Sequence, residues 1–380
     1  MKDGSLIAWL LEHSGPAIRY RTAAELLDPR PSPQELARVS QELEQSSLVQ
    51  EWLANVGLST GDTDLHGSKR TCFENAAGKL TQLGCHRGMA GYDARMAPFR
   101  RWLAEQVERP SIGDWSPYYG TLVAAALARG GYRDRAIGQV ASRRLEELYG
   151  FTKEKSYDLY IPQDTYPGFP KAFRRSPLIS PEISGPRVLR IPVIHDVLLL
   201  AARYDDLSEE ERARADTVIA HILEPAYQRL PNGYGVVKGE GRHYYGHGWD
   251  VKLPGFFGYD ALGPESATLV QRLELLARFP AARGHPWFGE GLAHLEGFRT
   301  PQGAYVFPRE YLRESEGYWV SGYVMGLEQD RRSKRALEVE STFWMLRIKR
   351  SAGILGQNPC PDPTAVGRAP QRTKKVCHPG

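Results

Sequence analysis

The strongest constraint on the fold is a rhythm that returns along nearly the whole chain. Apolar residues recur three and four apart in segment after segment, and no comparable run of alternating apolar and polar residues appears. The first pattern lays an apolar stripe along a helix, whereas the second would mark a half-buried strand. The spacing predicts a helix over AIRYRTAAELL, after Ser14 and Pro16, and others near 33–54, 95–107, 117–129, 133–149, 188–204, 209–229, 265–279, 287–297, 317–327 and 334–349. Thr71 stands three before Glu74, and Ser208 three before Glu211, the spacing of a capping box. The expected class is all-α.

At 380 residues the chain is long enough for one large domain or two ordinary ones. Hydrophobic residues at 41% and charged residues at 25% are globular proportions. Lys and Arg number 49 against 45 Asp and Glu, so the net +4 makes no concentrated field and nucleic acid is not an expected partner. The start, MKDGSLIAWLLEH, lacks the cleavage site of a signal peptide, and no apolar stretch approaches the roughly 20 residues that span a bilayer. A cytoplasmic protein with no membrane partner is expected. Cys72, Cys85, Cys360 and Cys377 form no CxxC pair and signal neither a zinc knuckle nor a disulfide framework.

Between the helical segments lie stretches at 57–70, 150–187, 230–263 and 298–315, rich in Gly, Pro and aromatics. Loops beyond about 12 to 15 residues are uncommon in compact domains and are usually functional or disordered. These are too aromatic for disorder, so they are expected to line a site. From 356 the chain turns Pro-rich and polar and is expected to be a flexible tail.

WLLEHSGPAIRYRTAAELLD, IPVIHDVLLLAARYDDLSEEERARADTVIAHIL, TPQGAYVFPREYLRESEGYWVSG and ESTFWMLRIKR resemble the terpenoid cyclase and protein prenyltransferase α/α-toroid superfamily over most of residues 5–350. The resemblance implies two concentric rings of helices, a single toroid domain over 1–355, and a ligand site at the mouth of the inner ring. It carries over no catalytic residue. Squalene-hopene cyclase-like proteins use DxDD, and the nearest match, Asp62-Thr63-Asp64-Leu65, lacks the last acid; the QW repeat survives only as Gln228 with Gly233-Tyr234-Gly235.

The residues themselves offer an acid–base site. In GRHYYGHGWDVKL the glycines disfavour a helix, and an extended backbone would put His243, Tyr245, His247 and Trp249 on one face. His243 and His247 are then candidate base and donor, with Asp250 to orient them; His66, just before a helix, and His195, at a helix start, are further catalytic candidates. Tyr160, Tyr245, Trp249, Arg299, Tyr305 and Trp319 are candidate substrate-binding residues. A zinc or iron site would need a third ligand from Asp250, His195, Asp196 or His66, and no spacing compels one, so no cofactor is expected. Asp205-Asp206-Leu207-Ser208-Glu209 imitates a metal motif, but its acids surround a capping serine. The expected function is acid–base chemistry, that of a lyase, hydrolase or cyclase-like isomerase, on a small cyclic or sugar-like molecule. The alternatives are a toroid that binds a lipid, peptide or protein without catalysis, and an open HEAT-like solenoid. A catalytic pocket should gather at least two of His66, His195, His243, His247 and His285 around a carboxylate.

Overall fold

The computed structural model describes residues 2–57, 64–109, 116–184, 189–239, 241, 243–259, 264–315, 317 and 319–356. Asp62, Thr63, Cys360, Cys377 and all but the first residue of the 356–380 tail lie outside them. The described residues are mostly helical, with sixteen α-helices. They run α1 (Asp3–His13), α2 (Pro16–Glu25), α3 (Pro33–Gln45), α4 (Ser47–Ala54), α5 (Phe73–Leu83), α6 (Ala90–Glu108), α7 (Ser116–Arg129) and α8 (Arg135–Thr152). There follow α9 (Pro181–Ser184), α10 (Ile194–Arg203), α11 (Glu209–Ile222), α12 (Pro225–Gln228), α13 (Leu269–Leu276), α14 (Pro280–Arg283), α15 (Pro286–Glu296) and α16 (Lys334–Ala352).

Six of these pack in an order that returns to its start: α2 touches α5, α5 touches α7, α7 touches α10, α10 touches α13, α13 touches α16, and α16 touches α2. Their side chains are buried on nearly every face, as helices surrounded by other helices must be. Amphipathic helices cover them from outside, with α3 on α2, α4 on α5, α6 and α8 on α7, α11 on α8, and α1 on α2 and α16. One contiguous cluster of buried side chains runs from Leu6 to Ile348. None of the described helices is long and apolar enough to cross a membrane.

The helical majority agrees with the expected class, to which the described residues add a small four-stranded sheet: β1 (Tyr160–Ile161), β2 (Leu178–Ile179), β3 (Gly235–Lys238) and β4 (Tyr244–His247). β1 and β2 are antiparallel, β2 and β3 parallel, and β3 and β4 form an antiparallel pair with Gly235 opposite His247. Strands of two and four residues are too short to show an alternation in sequence. Helix boundaries shift for local reasons. α10 begins at Ile194 rather than near 188, because Pro192 has no N–H and Val193 is extended. The 209–229 segment breaks at Pro225. Ser208 and Glu211 do form a capping box, but Thr71 and Glu74 do not, since Cys72 occupies the N-cap of α5.

The expected helix over 317–327 does not form among its described residues, which make an irregular strap with one 3-10 turn at Trp319–Ser321. Its glycines disfavour a helix, and Gly322 takes a left-handed φ of +71°. Side chains of α5 supply the hydrogen bonds a helix would have made internally. Asn75 accepts from Trp319 N at 3.0 Å, Gln82 donates to Val324 O at 2.6 Å, and Lys79 donates to Val324 O at 3.0 Å. The Trp319 indole donates to Gln82 at 2.9 Å and lies flat against Gly78, where an added Cβ would come within 2.1 Å of the ring. Gly78→Ala therefore forces the indole out of its seat and should destabilise by about 1–3 kcal/mol, read as a lower midpoint in urea. An unchanged midpoint would show that Trp319 is not seated there.

His221 sits in an aromatic cage, stacked 4.5 Å from Tyr157 and edge-on to Phe151 and Tyr227. Burial, with Lys155 adding to it, lowers its pKa to about 4. The folded chain thus holds this imidazole neutral, and the unfolded chain takes up its proton first. Stability is full above about pH 6.5 and declines as pH falls toward 4, by roughly 1.4 kcal/mol per pH unit. His221→Phe should flatten the stability profile between pH 6.5 and 4, and an unaltered slope would refute the assignment.

Candidate active site

The loop 64–72 folds back onto the first turn of α5. Phe73 N donates to Asp64 O and Glu74 N to Leu65 O, while the Asn75 amide donates to Gly67 O and Lys69 O at 2.8 and 2.9 Å. This staple sets His66 beside Glu74, whose side chain is only 2% exposed. His66 Nδ1 lies 2.6 Å from Glu74 Oε1, which also accepts from Gly67 N at 3.0 Å. From across the molecule, His195 in the first turn of α10 brings Nε2 to 3.1 Å from the other oxygen, Oε2. One buried carboxylate thus bridges two imidazoles. Tyr118, in the first turn of α7, places its hydroxyl 3.3 Å from His66 Nδ1 and its ring edge-on to both histidines.

Burial alone would raise the Glu74 pKa, but hydrogen bonds from His195 and His66 and their charge prevail and hold it at about 2. The carboxylate stays ionised and accepts an N–H from each ring. The N–H groups it accepts from are Nδ1 of His66 and Nε2 of His195. Nδ1 of His195 is buried with no hydrogen-bond partner. The His66 side chain is 26% exposed and is the member of the pair open to solvent. Burial, with Glu74 next, pushes the Tyr118 hydroxyl well above its ordinary range, so it remains a proton donor.

Trp249 closes the cluster, with its indole edge-on to His66 at 5.1 Å and to His195 at 6.1 Å between ring centres. Its backbone takes a left-handed φ of +72°, uncommon for a bulky residue, and its carbonyl accepts from Ile194 N at the start of α10. Beside His195, Asp196 takes a two-pronged ion pair from Arg144 at 2.8 and 3.0 Å and accepts from Val193 N at 2.9 Å. The first turns of α5, α7 and α10 meet here, and their dipoles favour negative charge at this end.

Of the expected catalytic residues, the structure brings His66 and His195 together on Glu74 and leaves His247 nearby, within electrostatic reach of Arg144, Asp196 and His195, while His243 and Asp250 make other contacts. His243 is exposed and stacks on Tyr245, 6.4 Å away, on the β3–β4 hairpin. His247 packs against Tyr234 at 6.2 Å, and burial, with Arg144 adding to it, lowers its pKa to about 4. The alternation that was to align these residues ends at the left-handed turn of Trp249. Asp250 does not orient the histidines: its carboxylate sits 3.9 Å from Lys252, and burial raises its pKa. His285 caps α15, accepting from Trp287 N. The remnant of the QW repeat is structural. Gln228 is buried and donates to Ile222 O, while Tyr234 bonds Tyr227 and Pro192 O in the core.

The expected binding residues divide in the same way. Trp249 lies at the cluster, and Tyr160 bonds Tyr234 O at 2.9 Å behind it. Trp319 is buried under the strap, and Tyr305 is buried with its hydroxyl donating to Glu296 at 2.8 Å while Arg299 lies over its ring. Glu74 and Tyr118 were missed; the signal for Glu74 was a lone acid one turn after His66's loop, which its capping spacing disguised. Asp205 and Asp206 pair with Arg278 and Arg133. Among the described residues no group of three or more His, Cys, Asp and Glu is arranged to hold a metal ion. Comparisons with protein-family models, with curated proteins and with solved structures give no match.

Proposed function

We propose that the chain is an α/α toroid, similar to the terpenoid cyclase and protein prenyltransferase superfamily, that carries a proton-transfer site at the N-terminal mouth of its inner ring. The closed order of contacts through α2, α5, α7, α10, α13 and α16 supports the toroid. The observation that carries the chemistry is the His66–Glu74–His195 bridge with Tyr118 against it. With Glu74 holding one nitrogen of each ring, Nε2 of the partly exposed His66 is left as the base, and Tyr118 is the acid. Cys72 in the same loop is buried and its thiol is pushed up by burial, which disfavours a covalent nucleophile. The reading is a lyase or isomerase that removes a proton from carbon in a small cyclic or sugar-like substrate, with Trp249 against the ring.

The test is hydrogen–deuterium exchange at carbon, followed by proton NMR in deuterium oxide over a panel of sugars and uronates, together with ultraviolet absorbance of any alkene formed. The wild type should exchange or eliminate on at least one member, and His66→Ala should lower that rate by about 10²–10⁴-fold. A rate that His66→Ala leaves intact, or a panel without any turnover, refutes the reading.

A further inference from the structure

At the opposite ends of the same six helices the last turns of α2, α5, α7, α10 and α13, with Arg347 of α16, surround a cavity of about 200 Å³. Arginines dominate its wall. Arg21 is committed, donating to both oxygens of Glu25 at 2.8 and 3.0 Å and to Gln82 O at 2.8 Å. Arg347 pairs with Glu25 and, at 3.6 Å, with Glu274. Arg278 reaches Asp205 at 3.4 Å on the exposed rim.

Arg129 differs. Its guanidinium lies over the buried Trp319 ring, 5.3 Å from the ring centre, its Nε is buried without a hydrogen-bond partner, and no carboxylate pairs with it among the described residues. Burial, opposed by Glu274 but joined by Arg21, Arg347 and Arg278, disfavours its charge. A guanidinium keeps its proton even so, and its buried Nε is left with an unused donor.

We propose that this cavity binds a small, multiply charged oxyanion, of the phosphate or carboxylate type, with Arg129 as its central ligand and Arg278 at the rim. The helix ends direct carbonyl oxygens here, which would repel an anion. Arg21 and Arg133, however, already donate to such carbonyls, Gln82 O and Ala128 O among them. The volume is below the roughly 300–1,000 Å³ of pockets that hold drug-sized ligands, which selects an ion over a nucleotide. The site stands apart from the histidine cluster and does not depend on the chemistry proposed there.

Calorimetric titration of the full chain with inorganic phosphate and with citrate, at constant ionic strength set by chloride, tests this. The wild type should bind at least one of them saturably, and which one binds separates the phosphate from the carboxylate source. Arg129→Gln should weaken that binding by about tenfold or more, since it removes charge-assisted hydrogen bonds. Arg278→Gln, on the exposed rim, should weaken it more modestly and serves if the first variant does not fold. Absence of saturable binding, heats matched by chloride alone, or equal affinity in the folded variants overturns the proposal.

Discussion

Glu74→Gln is expected to disable the histidine pair while leaving the chain folded. The glutamine keeps the carboxylate's shape but has one acceptor oxygen and one amide group, so it can accept from only one imidazole. The other must turn over to its second tautomer or face its N–H against the amide. Loss of the tautomer that presents a lone pair to substrate should lower the rate of any proton-transfer turnover by about 10²–10⁴-fold. The side-chain ¹⁵N shifts of His66 and His195 provide a readout that needs no substrate. In the wild type each ring should show one protonated nitrogen bonded to a carboxylate, and in Glu74→Gln at least one ring should change. Stability supplies a second signature. The folded chain holds Glu74 at about 2 against an ordinary 4.5, so its contribution, about 3 kcal/mol, is complete above pH 4.5 and disappears as pH falls toward 2. Glu74→Gln should remove that component of acid unfolding. Unchanged shifts together with an unchanged acid limb would show that the carboxylate does not bridge the rings.

The sequence revealed the histidines of this site but not the acid that joins them, and the reason is physical. His66 and His195 stand at the mouths of predicted helices, where a side chain has an exit toward a cavity. Glu74 stands three residues after a threonine, where the usual explanation is local capping, and only tertiary packing shows that it faces two histidines instead. The same packing governs the rest of α5. Asn75, Lys79 and Gln82 are polar, yet all three are buried because the strap carrying Trp319 and Val324 lies across them. Helical rhythm was legible because it is written in neighbouring residues. Closure around a strap depends on partners about 240 positions away in sequence. His243 was misplaced for a smaller reason: period-two reasoning cannot foresee that Trp249 leaves the strand through a left-handed turn.

Asp196→Ala should be the most destabilising single change near the site. Arg144 and Asp196 are almost wholly buried, and the guanidinium gives two of its donors to this carboxylate, one also to Leu189 O, and another to Glu147. Truncating Asp196 leaves the cation in place and deprives Val193 N of its acceptor at the start of α10. Breaking a buried pair from one side typically costs about 3–5 kcal/mol, a large share of the 5–15 kcal/mol that holds a domain together. The cost reaches function because the neighbouring residue is His195, whose approach to Glu74 depends on where α10 begins. Urea denaturation of Asp196→Ala, Arg144→Met and the double variant separates the possibilities. If the lost energy is that of an abandoned charge, the double variant should be more stable than Asp196→Ala alone, with a coupling of at least 1 kcal/mol. If the losses simply add, the pair is not what anchors α10, and the placement of His195 must be traced to the Trp249 carbonyl that receives Ile194 N.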